Sequence, residues 1–159
     1  MRSPGPWPDL AGRLIPGGHV LPVRIYFEDT DFSGVVYHGS YIRFMERGRS
    51  DFVRLLGVAH TALDAGDHGE PLVFAVHRIN IGYFKPARID DLVEVTTLVK
   101  AVTGARLILN QTVTRDGEPL TDAEVTIVLV NRDGRARRIP DSVRDTLHAA
   151  AVATGVASA

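Results

Sequence analysis

Tyr26-Phe27-Glu28-Asp29-Thr30-Asp31-Phe32-Ser33-Gly34-Val35-Val36-Tyr37-His38-Gly39-Ser40-Tyr41 joins two kinds of hydrophobic periodicity. Upstream, Val23, Ile25 and Phe27 alternate as a strand with one buried face does. Downstream, Tyr41, Phe44, Met45, Phe52, Leu55 and Leu56 recur at the spacings of one helical face. Arg43, Glu46, Arg47, Arg49, Asp51 and Arg54 fall on the other side, and Gly57 supplies a stop. Between strand and helix lie three carboxylates, a glycine bend and the apolar turn Val35-Val36-Tyr37. Carboxylates placed there lie close to first-turn N–H groups, whose partial positive charge can hold a developing negative charge. This segment is the candidate active site.

The rest of the chain is consistent with one domain. Its 159 residues suffice for a hydrophobic core, and 45% apolar with 23% charged residues is ordinary globular composition. A formal net charge of −1 argues against binding nucleic acid by bulk charge. With no cysteine, disulfides, zinc-thiolate sites and thiol nucleophiles are excluded. No apolar run is long enough for a membrane span, and the proline-broken start makes a poor signal peptide. A cytoplasmic protein is expected, with residues 1–19 a loose arm, 20–148 the domain and 149–159 a frayed tail.

Gly48 on the buried stripe would let a sheet approach the helix, although it weakens the helix by roughly 1 kcal/mol relative to alanine. After the helix, strands are predicted over 72–84, 92–102, 106–115 and 120–131, with turn signals at Thr103-Gly104 and Asp116-Gly117. A short helix is expected from Asp141. Strand, long helix, then four strands joined by tight turns indicates α+β with segregated elements, the helix packed on a five-stranded antiparallel sheet.

Acidic bends are commonly solvated turns or helix caps. Here the cluster follows a core strand, precedes an apolar loop and has His38 at the helix entry, which suits a base or nucleophile. Asp29, Asp31 and His38 could in principle ligate a metal, but no second histidine stands at helical spacing, so no metal is assigned. No G-x-S-x-G elbow, P-loop or dinucleotide motif occurs. Lys85, Arg88, Arg106, Arg135, Arg137 and Arg138 fit a solvated rim, some of which could hold a phosphate.

Asp29-Thr30-Asp31-x-x-Gly34-Val35-Val36-Tyr37-His38-x-x-Tyr41, followed by Glu46-Arg47-x-Arg49, resembles the signature of hotdog-fold acyl-CoA thioesterases. It is most similar to the 4-hydroxybenzoyl-CoA thioesterase group and its YbgC-type branch, linked to the bacterial Tol-Pal envelope system. Tyr83-Phe84-Lys85-Pro86-Ala87-Arg88-x-Asp90-Asp91 extends the likeness, which covers roughly residues 20–145. The resemblance implies a hotdog fold paired into dimers or tetramers, with the active site at a subunit interface. It implies acyl-CoA as substrate and no cofactor beyond that CoA. It implies Asp31 as catalytic base or nucleophile and His38 as its histidine, with amides near His38 and Gly39 polarising the carbonyl. Substrate contacts are then expected from Gly34, Tyr37, Gly39, Tyr41, Lys85, Arg88 and Arg106, and a supporting role from Glu46. Peripheral association with envelope machinery is also implied. Two other classes share the pantetheine slot: a hydroxyacyl-thioester dehydratase, and a non-catalytic acyl-CoA-binding protein.

Overall fold

The hydrophobic stripes expected of the central helix and the strands meet face to face in the computed structural model, which describes residues 6–58, 60–67 and 69–152. The elements are β1 (Arg13–Ile15), β2 (Gly18–Arg24), α1 (His38–Leu55), α2 (His60–Asp64), β3 (Leu72–Tyr83), β4 (Leu92–Thr103), β5 (Arg106–Arg115), β6 (Glu118–Asn131) and α3 (Asp141–Val152). The strands form one antiparallel sheet ordered β1-β2-β4-β5-β6-β3. This is the hotdog arrangement, a long helix held on a curled sheet.

The sheet has six strands among the described residues, one more than the hydrophobic pattern indicates. The extra strand, β1, folds back on β2 through Pro16-Gly17 and pairs Leu14 with His19. Three residues are too few to display alternation, so this hairpin reads in sequence as part of an arm. The second difference lies in pairing. β3 pairs with β6, so the segment between β3 and β4 crosses over instead of turning tightly. At the C-terminus α3 runs to Val152, and the remainder of the expected tail lies outside the described residues.

α1 buries Tyr41, Phe44, Met45, Phe52 and Val53 in the core it shares with β2, β4 and β5. Leu55 is exposed, and Val53 takes the place that spacing gave it. Gly48 marks the closest approach: a Cβ there would stand 2.9 Å from Val95 Cγ1 and 3.3 Å from Thr97 Oγ1. At that contact the buried Gln111 donates from Nε2 to Met45 O (2.9 Å) and Thr97 Oγ1 (2.8 Å). Its Oε1 accepts from Arg49 Nη1 at 3.1 Å. A helix carbonyl has a second lone pair free for such a donor, so the sheet bonds directly to the helix backbone.

His19, fully buried at the start of β2, lies 2.6 Å through Nε2 from Ala11 O, while Nδ1 is buried without a partner. Burial depresses its pKa, opposed by the Ala11 contact and by the charge of Asp51. A neutral ring donating from Nε2 satisfies this geometry; a protonated ring would leave an Nδ1–H buried with no acceptor.

Two outcomes follow for stability. Gly48→Ala should lower stability by about 1–3 kcal/mol despite its better helix propensity, because the added methyl overpacks the junction with Val95; thermal melts of both proteins check this. His19 binds its proton more weakly folded than unfolded, so its contribution is complete above the unfolded value of about 6.5 and declines as pH falls through it. Melts across pH 5 to 8 should show that acid-side loss shrinking in His19→Gln.

Candidate active site

The acidic bend becomes a single 3-10 turn, Phe27–Asp29, and the chain then reverses at Asp31–Gly34. Gly34 closes that turn at φ +81°, donating from N to Asp31 O at 3.1 Å. The return leg is pinned to both sides. Val36 N donates to Ala87 O at 2.9 Å, and Tyr37 N donates to Asp29 O at 2.8 Å. The entry to α1 is thereby fixed before the helix starts.

Two of the three carboxylates have sharply different surroundings. Asp29 is buried: its Oδ2 accepts from Tyr26 N at 2.9 Å, Oδ1 stands 3.8 Å from Arg43, and its backbone oxygen accepts from Ser40 Oγ at 3.1 Å. Asp31 is fully exposed in the protomer, where its Oδ1 accepts from Ser33 N (2.8 Å) and Ser33 Oγ (2.6 Å). The Ser33 hydroxyl and amide hold the Asp31 carboxyl below the usual carboxylate range, so it is ionised at neutral pH. Sequence alone could not separate a structural Asp29 from an available Asp31, because both flank the same bend.

His38 opens α1. Its ring packs on Tyr37 at a 44° tilt, 4.3 Å between centroids, and meets the edge of Tyr83 at 6.3 Å. A side chain at Gly39 would collide with the Tyr37 ring at 2.7 Å, so the glycine lets that ring lie along the helix entry. Tyr83 donates its hydroxyl to His38 O at 2.9 Å, and the buried Tyr41 accepts at its hydroxyl from Ala87 N at 3.0 Å. Burial raises both phenol pKa values, so both stay protonated. The amides of His38 and Gly39, in the first turn, have no acceptor within the helix. Beside them a cavity of about 280 Å³ opens between this turn and Tyr83–Pro86, with Val36 and Tyr41 in its lining.

Of the residues singled out by sequence, His38, Tyr41 and Lys85 line this cavity, while Tyr37 and Gly39 adjoin His38 without lining it. Asp31 and Gly34 stand on the neighbouring turn and are not among the lining residues. Lys85 pairs with Glu118. Arg88 holds its backbone place through a bridge to Val35 and through Asp91, which accepts from its amide at 2.8 Å. Arg106 lies elsewhere: it faces Val128 on β6, whereas Lys85 N bonds Leu120 O, a separation of roughly 26 Å at the usual strand rise. Tyr83 is the site residue that residue-type reasoning passed over. Its place at the end of a long apolar strand reads as core packing. Among the described residues no group of three or more His, Asp or Glu is placed to hold a metal.

The arrangement offers polarising amides, a small apolar-walled cleft and an ionised carboxylate on an adjacent turn, which are the parts an acyl-transfer site needs. The profile of the thioesterase-like superfamily matches residues 25–147. The chain is 37% identical over 124 residues to the acyl-CoA thioester hydrolase YbgC of Escherichia coli O6:H1, covering 77% of this chain and 90% of that one. It is 34% identical over 137 residues to the acyl-CoA thioesterase YbgC of Haemophilus influenzae, covering 85% and 98%. Among solved structures, "Probable Thioesterase from Bartonella henselae" superposes with a TM-score of 0.75 at 42% identity, covering 77% and 99%.

The two bend aspartates should part company in a stability measurement. Asp29→Ala strands the Tyr26 amide and should cost about 1–3 kcal/mol, whereas Asp31→Ala should leave the denaturation midpoint unchanged. Chemical denaturation of the two variants side by side tests the contrast.

Proposed function

Because the chain belongs to the thioesterase-like superfamily, we propose that it hydrolyses an acyl-CoA thioester to a carboxylic acid and free CoA, using the carboxylate of Asp31 and the amide end of α1. The observation that supports this is the first turn of α1, whose opening residue His38 lines the cavity beside Tyr83 and Lys85. A thioester carbonyl placed there gains hydrogen bonds that strengthen as its oxygen becomes an oxyanion. Asp31 either attacks the carbonyl carbon or takes a proton from an attacking water, and its depressed pKa keeps it competent at neutral pH. His38 orients the carbonyl or water from the cavity wall.

The protomer leaves this machinery open on one side. Phe27, Phe32 and Tyr37 are exposed around the acidic bend, and Val73, Val76, Tyr83 and Phe84 are exposed on and just beyond β3. Apolar groups so concentrated fit a surface that another subunit covers. β3 is also the outermost strand of the sheet and twelve residues long. We therefore place the working site at the contact between copies, where the partner shields Asp31 from bulk water and completes the walls. The basic residues Lys85, Arg88 and Arg106 are assigned to the CoA phosphates on the same basis, Arg106 from its distant end of the sheet. Cytoplasmic residence, with peripheral contact to the Tol-Pal envelope system, completes the proposal. No helix of the described residues is long and apolar enough to cross a membrane.

Asp31→Asn should keep the melting temperature and lower turnover at least ~100-fold, the scale of a lost base or nucleophile. Thiol release from short aliphatic, long aliphatic and aromatic acyl-CoAs measures it. Near-normal turnover by the variant would remove Asp31 from the mechanism. Hydration of crotonyl-CoA without thiol release would identify a hydratase, and tight binding without either product a carrier.

A further inference from the structure

At the end of β3, Tyr83 pairs with Thr121, and the amides of Phe84 and Lys85 both donate to Leu120 O, at 2.8 and 3.3 Å. β6 therefore fixes the backbone from which the Tyr83 ring projects. The ring is fixed in turn. It meets Tyr41 at 5.7 Å and His38 at 6.3 Å, both edge to face, and Tyr41 is itself buried and bonded through its hydroxyl to Ala87 N. So held, Tyr83 lines the cavity beside α1 and donates its hydroxyl to His38 O at 2.9 Å. Burial raises its phenol pKa, so the hydroxyl keeps its proton at neutral pH.

The choice of acceptor is informative. His38 is the first residue of α1, and carbonyls at that end of a helix already accept from amides four residues on. The groups left without helical partners there are the amides. A carbonyl oxygen has a second lone pair, so the Tyr83 bond is possible, yet it relieves no unpartnered group on the helix. Its effect lies at the other end of the same peptide unit. The link from His38 C to Gly39 N is planar, so a hydroxyl that fixes His38 O also fixes the direction of the Gly39 N–H, one of the first-turn amides without a helical acceptor. Among the described residues no other hydrogen bond reaches this peptide from outside α1. A proton shared with the oxygen also draws charge from the nitrogen, and such coupling strengthens the next bond in a chain by about 10–30%.

We propose that the Tyr83 hydroxyl orients and polarises the His38–Gly39 peptide so that its N–H meets the oxygen of a thioester carbonyl held in the cavity, which makes Tyr83 a positioning residue of the reaction. The inference rests on the thioester-hydrolase function proposed above and adds a residue to it. The carbonyl oxygen gains its negative charge on the way to the tetrahedral state, so a better-aimed donor is worth more there than in the bound substrate.

The test uses analogues of acetyl-, decanoyl- and benzoyl-CoA in which a methylene replaces the thioester sulfur and the carbonyl is labelled with carbon-13. They bind without being hydrolysed, and the one that wild type binds most tightly is used throughout. On wild type its carbonyl resonance should move downfield, as donation to the oxygen requires. Tyr83→Phe keeps the ring and removes the donor, and should shrink that movement by roughly 10–30% or more. With 3-fluorotyrosine at position 83, a more acidic donor of the same shape, the movement should grow. In thiol release from the matching acyl-CoA, Tyr83→Phe should lower kcat about 2- to 10-fold, the net worth of one hydrogen bond, with KM unchanged. Binding of none of the analogues, an unmoved resonance on wild type, a movement that Tyr83→Phe leaves intact, or a loss confined to KM would each overturn the proposal. Should Tyr83→Phe fail to fold, the fluorotyrosine protein decides, and a movement no larger than that of wild type overturns it. The expected pattern of resonances with no thiol released would overturn the hydrolase assignment and leave Tyr83 its role toward the carbonyl.

Discussion

Gln111 bonds the backbone of α1 from the middle of the sheet, and that contact requires a glycine at position 48. With any larger residue there, the helix would ride further from β4 and β5, and the Gln111 amide would lose its reach to Met45 O. Buried and fully partnered, such a group gives the interface one orientation where apolar packing alone would tolerate several. The axis of α1 is thereby set, and with it the line along which its first turn is presented.

The start of α1 is fixed independently. Ala87 accepts from Val36 N and donates to the Tyr41 hydroxyl, Asp29 accepts from Tyr37 N through its backbone, and Tyr83 holds the first helical carbonyl. These contacts arrive from two separate segments of chain, the bend at Asp29 and the stretch from Tyr83 to Ala87. Such over-determination suits the role proposed for the first-turn amides, which requires donors already in place before the reaction. The turn bearing Asp31 stands outside that arrangement, its side chain held by the Ser33 amide and hydroxyl.

Much of this was legible in the residues. Periodicities of 3.6 and 2 located α1 and the five longer strands, because each element buries one continuous face. Gly48 announced the close helix–sheet approach by standing on the buried stripe. The partner of β3 was not legible: alternation says which face of a strand is buried, not which neighbour it pairs with. β1 was hidden by its brevity. At the site, the run from Asp29 to Tyr41 pointed to the bend and helix entry beside which the cavity opens. It could not show which aspartate is buried, since that depends on Tyr26, Arg43 and Ser40 converging on Asp29. Arg49, half-buried, was misplaced for a similar reason: its anchor, Gln111, lies 62 positions away.

The two ends of the sheet are finished differently. β1 covers β2 opposite Gly18, His19 and Val20, and Pro22 further along that strand has no amide hydrogen to offer a newcomer. At the other end β3, twelve residues long, is the outermost strand of the sheet. Two copies joined there about a two-fold axis would use the same strand on both sides, so such pairing would close on itself instead of growing into a fibre.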